Sequence, residues 1–110
     1  MEGFLFKNFT PSEALSARAT RTLERLEDLL PVESTAIGVL EFYDDEFRCA
    51  LEVSTCDQLF VASESHVFSG IALDRAEQKL KRKILNSLQR IPAYAVVQRL
   101  PIEPSFSAIL

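Results

Sequence analysis

The chain is poor in the residues on which most catalytic and metal chemistry rests. It has a single histidine, His66, whereas structural zinc asks for four ligands, so neither a metal nor any other cofactor is expected. Cys49 and Cys56 are too few for a disulfide framework, and with no sign of secretion they read as free thiols. Three glycines leave no Gly-rich loop to cradle a phosphate. No stretch approaches the roughly 18 apolar residues of a membrane-spanning helix. Met1, Glu2 and Gly3 begin neither a basic n-region nor an apolar h-region, so a cytoplasmic protein without membrane contact is expected. The acid pairs Asp44–Asp45 and Glu27–Asp28 fall at a turn and a helix end, where solvated carboxylates are ordinary. With no convergent constellation of reactive groups, an enzyme is not expected.

What is present is an ordinary globular composition, 47% hydrophobic and 25% charged, in a 110-residue chain long enough for one core. The formal net charge is −4, a balance that argues against phosphate-rich partners. That average hides a division. Between residues 33 and 64 eight acids stand against the single base Arg48, whereas residues 71–90 carry six bases against Asp74 and Glu77. Partner choice follows the local field more than the sum.

Residues 71–90 are the clearest element. At about 100° per residue, Leu73, Ala76, Leu80, Ile84, Leu88 and Ile91 share one side, and Arg75, Lys79, Arg82, Lys83 and Arg90 gather on the other, giving an amphipathic helix with a basic back. Residues 4–9 read as a first strand. Thr10, Pro11 and Glu13 then resemble a capping box that starts a helix ending before Pro31, with Arg18, Arg21 and Arg25 aligned along one flank. Residues 35–43 and 47–55 form a hairpin through Asp44, Asp45 and Glu46, and 59–64 add a further strand. The order is β-α-β-β-β-α, which implies an α+β two-layer sandwich with both helices on one face of a mainly antiparallel sheet. On this reading the basic helix flanks form one surface and the open sheet face is acidic. Residues 1–90 make the domain. Residues 91–110, apolar and interrupted by Pro92, Pro101 and Pro104, make a tail that supplies an edge strand or a homodimer contact.

The residues that carry these helices resemble a known family, the ribosome hibernation promoting factors or ribosome-associated translation inhibitors. Leu73, Asp74, Arg75, Ala76, Glu77, Gln78, Lys79 and Leu80 resemble the family's Ile-Asp-x-Ala-x-Asp-Lys-Leu run, continued by Lys81, Arg82, Lys83 and Ile84. Ala14, Leu15, Arg21, Leu23, Glu24, Arg25 and Leu26 resemble its first-helix pattern, from which Ser16 departs, as Gly70 and Gln78 depart from the second. The resemblance implies the same N-terminal fold and a factor that binds the small ribosomal subunit and its rRNA, inhibiting translation by occlusion. It places RNA contacts at Arg21, Arg25, Lys79, Arg82 and Lys83. Arg18 and Arg75 join them on helix geometry alone.

Two rival readings accompany this one. A protein-interaction module of the same fold, without RNA binding, would account for the net charge of −4, Ser16 and Gly70. A thiol-dependent enzyme would need Cys56 to act with His66.

Overall fold

The computed structural model describes residues 3–89; the tail of residues 91–110, with its readings as edge strand or dimer contact, lies outside them. The elements are β1 (Phe4–Lys7), α1 (Glu13–Glu27), β2 (Thr35–Tyr43), β3 (Glu46–Ser54), β4 (Leu59–His66) and α2 (Ser69–Gln89). The four strands form one sheet in the order β1-β2-β3-β4. β3 is antiparallel to both its neighbours, but β1 lies parallel to β2 with Phe4 opposite Gly38, so the sheet is mixed. Parallel neighbours need a crossover, and α1 is that crossover.

Local chemistry sets the boundaries. α1 is capped by Ser12, whose hydroxyl accepts from the Leu15 amide at 3.1 Å, and not by Thr10. This start leaves Glu13 in the first turn, where its charge suits the helix dipole. The hairpin closes with two residues rather than three. Asp44 and Asp45 both have positive φ, 54° and 64°, the twist of a type I′ turn, and Tyr43 pairs directly with Glu46.

Alternation along the strands sends Ala36, Leu40, Cys49, Leu51, Val53 and Ala62 to one face. There they form one core with Leu15, Ala19, Leu23 and Leu26 of α1 and Leu73, Ala76, Leu80 and Ile84 of α2. Both helices therefore cover the same face. The opposite face is not the acidic surface expected from the residue count. Its acids Glu41, Glu46 and Glu52 share it with Lys7 and Arg48, and around them lie Leu5, Ile37, Val39, Ala50, Leu59 and Val61. Asp44, Asp45 and Asp57 sit in the turns instead.

Gly38 is required by close packing. A Cβ there would stand 2.6 Å from the Phe4 ring and 2.8 Å from the Leu51 side chain. Gly38→Ala should lower stability by about 1–3 kcal/mol, the usual cost of overpacking, measured by urea denaturation. Both cysteines are free. Cys49 is buried among apolar side chains, which pushes its thiol up to about 12, and Cys56 is exposed. Ellman's reagent should therefore titrate one thiol promptly in the native protein and the second only on unfolding.

Candidate nucleic-acid interface

The seven basic residues singled out in the sequence fall into three groups. The first lies along the seam between the helices. Arg25 of α1 presents a two-pronged fork to Glu77 of α2, with Nε to Oε2 at 2.9 Å and Nη2 to Oε1 at 3.0 Å, and it also donates to Thr22 Oγ1. The Glu77 side chain is only 10% exposed against 54% for Arg25, so an exposed guanidinium satisfies a buried carboxylate. That pairing holds the Arg25 pKa above its ordinary value, the hydrogen bond to Glu77 contributing most. Arg18 pairs with Asp74 through a single contact, Nη2 to Oδ1, and both side chains are exposed. Gly70 leaves the room for this reach, because a Cβ there would come within 2.7 Å of the Arg18 guanidinium.

The second group lies on the β4 side of α2. Lys83 donates to the Val61 carbonyl at 2.6 Å, and Lys79 to the Ser63 carbonyl at 3.4 Å and to the Glu64 carboxylate at 3.3 Å. β4 is an edge strand, and these lysines occupy acceptors that would otherwise face solvent. The third group comprises Arg21, Arg75 and Arg82. All three are exposed, and among the described residues none forms an ion pair with a carboxylate. Arg75 and Arg82, seven residues apart, lie almost on one line along the outer crest of α2. They line a shallow groove of about 310 Å³ with Asp74, Gln78, Lys79 and Glu64.

The expected single basic surface is thus a crest with a partly neutralised border. The crest offers exposed guanidinium groups of the kind that contact phosphates, while Arg18 and Arg25 also brace the helices. Sequence reasoning missed Glu77 as a buried partner. The signal was there: Glu77 lies four residues after Leu73 and three before Leu80, on the edge of the apolar stripe, where an acid needs a base.

Other candidate chemistry does not assemble. Cys56 precedes β4 and His66 is its last residue, so the whole eight-residue strand, rising roughly 3.3 Å per residue, separates them and they cannot form a dyad. His66 Nδ1 accepts from the Phe68 amide at 3.0 Å, a local turn contact. Among the described residues no group of three or more His, Cys, Asp or Glu side chains is gathered for a metal, and no helix is long and apolar enough to cross a membrane.

Fold and site together define an α+β sandwich whose most distinctive surface is the exposed basic crest of α2. Several solved structures share this fold, and two of them illustrate the likeness. One is the Thermus thermophilus Protein Y N-terminal domain, at 23% identity and TM-score 0.64, with the match covering 74% of this chain and 91% of that one. The other is a ribosomal subunit interface protein from Coxiella burnetii, at 12% identity and TM-score 0.67, covering 79% of this chain and 96% of that one. No protein-family model and no curated protein sequence matches the chain. The likeness is therefore one of fold, and it is the fold that the helix motifs implied.

The seam is open to a direct test. Arg25→Ala leaves the Glu77 carboxylate without its fork and should cost about 1–2 kcal/mol, the value of charge-assisted hydrogen bonds discounted for the solvent around Arg25. Adding Glu77→Gln should recover part of that loss in the same urea titration.

Proposed function

We propose that this protein is a cytoplasmic ribosome-associated factor of the hibernation type, which binds rRNA of the small subunit through its basic helix face and inhibits translation by occlusion, without catalysing a reaction. The observation that carries the reading is the exposed line of Arg75 and Arg82 on α2, flanked by Arg21, Lys79 and Lys83, on a fold shared with a ribosomal subunit interface protein. Arg18 and Arg25 belong to the same surface at its seam. They reach phosphate through guanidinium nitrogens that their carboxylate partners leave unused. Lys79 and Lys83 have flexible stems, and exchanging a strand carbonyl for a phosphate requires only rotamer changes.

Electrostatics supports the reading despite the net charge of −4, because phosphate binding releases counterions contact by contact and depends on the local field. A second reading, a protein-interaction module of the same fold, is favoured by one observation. Four of the seven bases are already engaged by protein groups.

Charge reversal separates the two. Arg75→Glu with Arg82→Glu should release the protein from small ribosomal subunits in a sedimentation assay, with an unchanged thermal midpoint because both residues are exposed. Single Arg→Gln changes should each weaken binding and flatten the salt dependence by about one unit of slope. Undiminished co-sedimentation of the double variant would remove the α2 crest from the interface.

A further inference from the structure

The open face of the sheet carries an apolar band with no partner among the described residues. In register across the strands, Leu5, Val39 and Ala50 form one row, and Ile37 and Val61 flank Glu52 in the next, with Leu59 beyond them. Leu5, Ile37, Leu59 and Val61 are 54%, 44%, 60% and 43% exposed, large values for contiguous aliphatic side chains on one sheet face. Because Ala50 is small, the band is dented by a depression of about 100 Å³ between Ile37, Val39 and Val61, the size of a single aliphatic side chain.

We propose that residues 91–110 of the same chain fold back across this band. The course of α2 says where that segment starts. Lys79 meets Ser63 and Lys83 meets Val61, so four helical residues match two strand residues, roughly 6 Å in each case. One further step brings the end of α2 beside Leu59, at the margin of the band. From there twenty residues reach up to roughly 65 Å extended, against roughly 26 Å for the length of β4, ample to round the sheet edge and run along its face. The segment also has the right chemistry. Tyr94, Val96, Val97, Ile102, Phe106 and Ile109 stand among only two charges, Arg99 and Glu103. A strand added to the edge of β4 would have to displace Lys79 and Lys83 from the Ser63 and Val61 carbonyls, which packing on the open face does not require. Pro92, Pro101 and Pro104 likewise suit packing across a face better than a continuous ladder.

Trypsin reads the seat through Arg99, which lies in the middle of the segment. In the full-length protein, cleavage after Arg99 should be slow, and Ile37→Glu or Val61→Glu should accelerate it about tenfold. Both positions are already partly exposed, so far-UV circular dichroism and the urea midpoint verify that the domain stays folded. Arg48→Gln, on the same face but in its charged row, should leave the rate unchanged. The wild-type rate should also be independent of protein concentration from low micromolar upward. Protection that disappears on dilution would assign the band to a second copy and overturn the proposal. Wild-type cleavage as fast as in an unfolded peptide, or no response to either charge on the band, would overturn it as well.

Discussion

The fork between Arg25 and Glu77 fixes how the two helices meet. Two helices on one face of a four-stranded sheet bring their flanks together, and here each flank carries charge. α1 brings Arg18 and Arg25, and α2 answers with Asp74 and Glu77, so the contact is attractive where two basic flanks would repel. A buried carboxylate is costly unless it is paired and hydrogen-bonded, and both oxygens of Glu77 are engaged. With the seam set, the rest of α2 is oriented: its apolar stripe faces β3 and β4, its lysines fall on the β4 edge, and Arg75 and Arg82 face outward.

Placing charge in this way explains how a chain of net −4 can present a basic surface. The acids are spread over turns, the helix seam and the open sheet face, and several meet a base or a backbone amide. Glu27, for example, accepts from the Ala36 amide at 2.9 Å and fastens the end of α1 to the start of β2. Among the described residues, Arg75 and Arg82 stand without an ion pair on the α2 crest. A fold of this kind hosts many functions, so the functional reading rests on the crest and not on the sandwich itself.

Much of the architecture was legible because it follows from periodicity. The 3.6-residue stripe from Leu73 to Ile84 and the alternation of Cys49, Leu51 and Val53 each state which side is buried. The parallel seat of β1 was not legible, since nothing local distinguishes a strand that pairs across a crossover. The cap at Ser12 was missed because Thr10 and Pro11 offer an equally good local pattern, and only the tertiary position of α1 decides between them. The polarity of the open sheet face was misjudged for a simpler reason. Counting acids over residues 33–64 mixes both faces and the turns, whereas Ile37, Val39 and Val61 are gathered by register. The basic site was legible as a set of residues, but not the division of labour within it. Lys79 and Lys83 look alike with Arg82 on a helical wheel, and their strand carbonyl partners exist only once β4 is in place.

The central claim is that exposed bases on α2 and α1 bind the phosphates of small-subunit rRNA. It is tested most directly by sedimenting the purified protein with small ribosomal subunits at about 50 mM and about 200 mM salt. The account predicts co-migration at low salt that falls steeply at the higher salt, as counterion release requires. Absence of binding at both salts, or binding indifferent to salt, would contradict it.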